Sequence, residues 1–257
     1  RTEARLTAPV SARMIELAGL RLGMHVLDLA TGRGEPAIAA AQRVAPSGSV
    51  LGVDPSATML EMTRARAALE GVTNLTLRVS HAESLEGVPT AHFHATLVRW
   101  GLMYMDAPVA ALVAARRAMV PRGVIVAALW AEPERVPYFT LPRRALEKYR
   151  AVPPIDPEAP GTFRYAELAR VRRDFAAAGF AIDDVEEREV PVMEAATDEE
   201  LIAWVRAFGL TRLLNELPEP TQRAWERDLI EAAAPLRRDG FVRLGGVTRI
   251  VVATSNT

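Results

Sequence analysis

Val26-Leu27-Asp28-Leu29-Ala30-Thr31-Gly32-Arg33-Gly34-Glu35-Pro36 reads as a short apolar strand that stops at a glycine turn and restarts as a helix. Residues 24–30 form a buried strand by length and flanks. Residues 35–44 are Ala-rich and helical, with Pro36 tolerated in the first turn. Glycines let a backbone approach a ligand closely, and the helix start behind them offers free N–H groups. Gly32-x-Gly34-x-x-Ala37 satisfies the spacing of the dinucleotide fingerprint. Asp28 argues against a dinucleotide, because a carboxylate at the strand end would face a pyrophosphate. It suits instead a ligand with a cationic amino-acid end and no phosphate. The next strand, 49–54, ends in Val53-Asp54-Pro55-Ser56. Asp54 there can accept from both hydroxyls of a ribose. An ammonium and a ribose on one ligand describe S-adenosylmethionine (SAM). The purely structural alternatives are that Asp28 caps its own loop and that Asp54 caps the helix starting near Ser56.

Outward from this stretch the pattern repeats. Helical segments at 7–18, 56–70 and 109–119 alternate with apolar strands at 75–79, 93–98 and 124–130. Such alternation predicts a parallel sheet covered on both faces. Residues 130–163 are Pro-rich and read as a connection with a short helix at 143–149. A helix follows at 165–178, stopped by Gly179, then a strand or bent pair of strands at 180–192. Residues 198–234 hold two helical segments, broken at Leu217-Pro218-Glu219-Pro220, and 241–253 closes as a strand. The expected fold is α/β and Rossmann-like, a doubly wound, mostly parallel sheet of seven strands with an antiparallel last strand and a helical cap.

Composition narrows the chemistry. The 257 residues carry 31 Lys+Arg against 32 Asp+Glu, a formal net charge of -1. That balance lacks the basic footprint of sequence-independent nucleic-acid binding. Cysteine is absent, which removes disulfides, thiolate metal sites and cysteine nucleophiles, and no metal site is expected. A cytoplasmic protein is expected, since no apolar run reaches the length of a membrane span and the start lacks the apolar core of a signal peptide.

The chain resembles the class I SAM-dependent methyltransferases, in particular the small-molecule group similar to the ubiquinone/menaquinone C-methyltransferases. Asp28 to Pro36 resembles that group's D-x-A-T-G-x-G-E loop. Gly52-Val53-Asp54-Pro55-Ser56-Ala57-Thr58-Met59-Leu60 resembles its second motif, and Ser80-His81-Ala82-Glu83-Ser84-Leu85 its third. Phe93 to Met103 aligns with the fourth, and Val120-Pro121-Arg122-Gly123 with the approach to the fifth strand. The likeness is close over residues 10–130 and looser over 165–192 and 241–253. It implies a single methyltransferase domain, with a SAM-binding core in those segments and cap insertions at about 131–165 and 193–240. S-Adenosylhomocysteine (SAH) would be the product.

The resemblance also implies site residues. Asp28, Ala30, Thr31, Gly32, Gly34, Asp54, Pro55, Met59, His81, Ala82, Glu83 and Arg99 would bind the cofactor, with Met59 beside the adenine. Trp100, Met103, Trp130, Phe139, Trp204 and Phe208 would line an apolar pocket for a quinone- or polyketide-like small molecule. Two positions depart from the family: His81 stands where an Asp accepts from the adenine amino group, and His94 where an Asp supports the sheet. All four histidines (His25, His81, His92 and His94) lie in the first half, so no histidine base comes from the segments expected to cover the methyl group. Arg99, Tyr104 and Tyr138 remain as candidates for a catalytic role. A SAM-binding cyclase of the same fold is the alternative to a methyltransferase. A nicotinamide oxidoreductase is disfavoured by Asp28, and a non-catalytic binding protein is the remaining class.

Overall fold

The computed structural model describes residues 2–207 and 210–256. In the first half helices and strands alternate: α1 (Thr2–Leu17), β1 (His25–Leu29), α2 (Ala37–Val44), β2 (Ser49–Asp54), α3 (Ala57–Leu69), β3 (Leu75–Val79), β4 (Phe93–Arg99), α4 (Pro108–Ala118) and β5 (Met119–Trp130). The second half adds α5 (Pro137–Glu147), α6 (Leu168–Ala177), β6 (Phe180–Ala195), α7 (Asp198–Arg206), α8 (Thr211–Asn215), α9 (Glu219–Ala233), β7 (Arg237–Arg238) and β8 (Phe241–Ser255). The strand order is β3-β2-β1-β4-β5-β8-β6. Strands β1 to β5 pair in parallel, and β8 runs antiparallel to β5. This is the expected seven-strand path; the two-residue β7, paired to β8, is an addition. Apolar strands such as Val26-Leu27 and Leu97-Val98 are buried because helices cover both faces of a parallel sheet.

Three expectations need correction. The short helix placed at 143–149 is instead α5, earlier and longer. Pro137 stands in its first turn, where a missing N–H costs nothing, and Pro142 is carried inside it. The fifth strand begins at Met119 rather than 124. Pairing jumps from Phe93↔Met119 to Ala95↔Val124, so Val120–Gly123 bulges out of the ladder with Arg122 at φ 61°. The insert after Thr197 holds three helices, since α8 forms before the Leu217-Pro218 break.

The chain divides into two compact units. One comprises Ala8–Trp130, Asp156–Arg188 and Thr248–Thr257; the other comprises Arg1–Thr7, Ala131–Ile155 and Glu189–Val247. The second unit has its own core. Trp225 is fully buried there among Leu146, Leu201, Leu229 and Leu244, and its Nε1 donates to the Pro142 carbonyl at 3.3 Å. The first unit holds the glycine turn.

The order of strands places a topological switch between β1, which is followed by β2 on one side, and β4 on the other. Ligands bind at such switch points in doubly wound sheets. The two strand ends interlock there. A Cβ on Gly101 would stand 2.5 Å from the Cβ of Ala30, and a Cβ on Gly52 would stand 2.9 Å from Thr31 Oγ1. Gly101→Ala should therefore cost about 1–3 kcal/mol through overpacking, read as a lowered urea midpoint.

Candidate functional site

At the carboxyl ends of β1, β2 and β4 lies a cavity of about 340 Å³. Ala30, Asp54, Pro55, His81, Ala82, Glu83, Arg99, Trp100 and Tyr104 line it, together with Ser80, Gly101, Met105 and Asp106. Nine of the residues singled out from sequence thus meet at one place. Ser80, Gly101, Met105 and Asp106 were not singled out as site residues; Ser80 and Gly101 lie within the third and fourth motifs, which is the signal that could have found them, and Met105 and Asp106 lie just beyond the fourth.

The glycine turn is built by backbone bonds. Gly34 N donates to Thr31 O at 2.8 Å, and Thr31 N donates to Val53 O at 3.0 Å, joining the turn to β2. Gly32 and Gly34 have φ of 52° and 91°, in the left-handed region. At Gly34 a side chain would also meet Ile38 and Thr63 at under 3 Å. Asp54 holds the arrangement from β2: Oδ2 accepts from Gly32 N and Oδ1 from Ser56 N, both at 2.9 Å. The N-cap of α3 is Ser56 itself, whose hydroxyl accepts from Met59 N at 3.3 Å. Glu35, just past the turn, accepts from Arg66 Nη2 at 2.5 Å and from Ser11 Oγ at 3.0 Å.

Asp28 is fully buried. Its Oδ2 accepts from the Thr31 hydroxyl, and its Oδ1 has no hydrogen-bond partner. Burial pushes the carboxyl up to about 7; the Thr31 bond and the Arg99 charge draw it down, while Glu35 and Asp54 push it further up. A buried carboxylate with one unmet oxygen holds its charge poorly unless a donor or cation arrives.

The other wall is set by loops. Glu83 Oε1 accepts from Asp106 N at 3.1 Å and from Ala107 N at 3.5 Å, just ahead of α4. His81 is exposed, and its carbonyl accepts from Leu85 N. Arg99 Cζ stands 4.8 Å from the centroid of the Trp100 ring. Tyr104 is half exposed, its hydroxyl 2.9 Å from Thr162 Oγ1, and burial raises its pKa.

The remaining sequence candidates do not line this cavity, and these include Asp28, Thr31, Gly32 and Gly34 of β1 and its turn. Met59 is exposed on α3, Met103 is wholly buried, and Trp130 is buried with its ring stacked on Trp100. Tyr138, Phe139 and Trp204 belong to the second unit, where Tyr138 and Trp204 pack against its core and Phe139 meets Tyr138 edge-on. Phe208 lies outside the described residues. His94 sits at the other end of β4, where its Nδ1 accepts from His25 N at 3.0 Å.

The methyltransferase domain profile matches residues 26–123, the glycine turn and the four strands around it. Nocamycin O-methyltransferase of Saccharothrix syringae is 30% identical over 248 residues, covering 90% of this chain and 82% of that protein. The chain belongs to the SAM-dependent methyltransferase family. The ubiquinone/menaquinone biosynthesis C-methyltransferase UbiE of Bordetella avium is 38% identical over 109 residues, 42% of either chain. The [4+2]-cyclase SpnF has the same fold, with a TM-score of 0.60 at 19% identity over 96% of this chain and 80% of that one. No helix among the described residues of this methyltransferase is long and apolar enough to cross a membrane.

The Asp28 carboxyl gives the unliganded methyltransferase a signed pH dependence. Its folded pKa lies above the ordinary value, so its contribution to stability is full below about pH 4 and is lost as pH rises through 7. Asp28→Asn removes that loss. The variant's advantage over the wild type in chemical denaturation should widen by about 2–3 kcal/mol between pH 5 and pH 8. An advantage that does not widen would refute the assignment.

Proposed function

We infer that this enzyme binds SAM in the cavity beside the glycine turn and methylates an apolar or aromatic small molecule of quinone- or polyketide-like type. The observation that carries the cofactor site is the orphaned Oδ1 of buried Asp28, an acceptor suited to the ammonium of the methionine moiety. The other residues fit the same ligand. Each oxygen of Asp54 accepts one backbone N–H and keeps a further lone pair for a ribose hydroxyl. Ala30, Thr31, Gly32 and Gly34 let the backbone come close. Pro55, His81, Ala82 and Glu83 would surround the adenine, and Arg99 would meet the methionine carboxylate. When bound, SAM supplies an electrophilic methyl group for in-line displacement.

The chain's part is orientation, which supplies up to about 7–11 kcal/mol of barrier lowering in favourable cases. Tyr104 keeps its proton, so it donates a hydrogen bond rather than abstracting a proton. An oxygen acceptor is favoured by the relative that matches over most of the chain, which is named as an O-methyltransferase.

Calorimetric titration with SAH, with NAD as control, tests the site. SAH should bind and NAD should not. A ligand ammonium favours the ionised Asp28, so affinity should be level above pH 7 and fall by up to about tenfold per pH unit below it. Asp28→Asn should weaken SAH and flatten this profile. A wild type that ignores SAH at every pH would sink the reading.

A further inference from the structure

Trp100 has a backbone φ of 53°. A bulky residue in the left-handed region is strained by about 1–3 kcal/mol, and such strain persists only where the surroundings hold it. Three contacts hold it here. The indole stacks on Trp130 with centroids 4.6 Å apart and planes at 9°. Trp100 Nε1 donates to Thr248 Oγ1 at 2.9 Å, and Thr248 Oγ1 donates to Leu129 O at 3.0 Å. Trp130 and Thr248 are themselves register partners of β5 and β8. The ring is thus fixed against the sheet by residues far from it in sequence.

The strain has a geometric result. Adjacent residues of an extended strand point to opposite faces. The left-handed turn at Trp100 breaks that alternation, and both Arg99 and Trp100 line the same cavity. The guanidinium carbon stands 4.8 Å from the Trp100 ring centroid, within cation–π reach. A guanidinium on a long stem loses much rotamer freedom when it binds a carboxylate, and a fixed platform removes part of that loss beforehand.

We propose that Trp100 is a positioning residue: clamped by Trp130 and Thr248, it holds the Arg99 guanidinium ready for the carboxylate of the cofactor's amino-acid end. The proposal rests on the SAM reading of the cavity. It assigns Trp100 to the cofactor and not to the acceptor, and it makes Thr248, which is buried and does not line the cavity, part of cofactor recognition.

The test uses two ligands with one nucleoside. SAH carries the carboxylate, and 5′-methylthioadenosine lacks it. Thr248→Val removes the clamp without touching the cavity wall. By calorimetry it should weaken SAH by about three- to tenfold and leave 5′-methylthioadenosine unchanged. Thr248→Ser keeps the hydroxyl and should restore SAH binding. Arg99→Gln should also weaken SAH alone, and adding Thr248→Val to it should cost nothing more. Should Thr248→Val fail to fold, Trp100→Phe removes the Nε1–H donor together with part of the indole platform, and carries the same expectation. Equal losses for both ligands, or additive losses in the double variant, would overturn the proposal. A wild type that binds neither ligand would overturn the SAM reading instead.

Discussion

A carboxyl group buried at the end of a strand must find donors or give up its charge. Asp28 finds one donor, the Thr31 hydroxyl, and its second oxygen stays unmet. Desolvation dominates its titration, and the fold's own charges do not settle it, since Arg99 pulls one way while Glu35 and Asp54 push the other. The protein alone therefore leaves this group destabilised, and a cationic ligand is what would relieve it. Folding stability is spent on a place where a ligand's charge counts for more than it would in water.

Much of the surrounding backbone serves to keep that place small and rigid. Gly32 and Gly34 take left-handed φ values, Gly52 gives room to Thr31, and Gly101 gives room to Ala30. A side chain at Gly52 or Gly101 would press on the residues that end β1, and one at Gly34 would press on α2 and α3. Asp54 secures the turn from β2 through Gly32 N, and Thr63 secures it from α3, donating to Gly32 O at 2.7 Å. One turn of the chain is thus held from two further elements, and its carbonyls and N–H groups are largely committed before any ligand arrives.

The parts of this design legible in the sequence are those that depend on local pattern. Apolar strands ending in Asp28 and Asp54, with glycines between, fix the order of elements and the end of the sheet where ligands go. The profile match over 26–123 falls within the stretch where the resemblance was close. What local pattern misses is long-range. Trp100 reads as an apolar wall residue, yet its meaning comes from Thr248, 148 positions away. Thr162, which meets Tyr104, lies in a Pro-rich stretch with no periodicity to mark it. The helix α5 was expected too late and too short because prolines ordinarily interrupt a helix, whereas here Pro137 occupies the first turn, which tolerates it, and Pro142 is carried inside.

The two histidines that depart from the family pattern find separate physical accounts. His94 offers an acceptor at this position: its Nδ1 takes the N–H of His25 and so ties β4 to β1. His81 bears on the cavity's electrostatics. Asp54, Glu83 and Asp106 line it with Arg99, and Asp28 is buried in β1, two residues before the lining Ala30. An acid at position 81 would add one more like charge to a cavity wall that already carries three, and like charges raise one another's pKa. An imidazole there keeps an acceptor available and spares the Asp28 carboxyl a further push toward neutrality. The histidine at 81 thus leaves the cavity wall with three acids beside Arg99 rather than four.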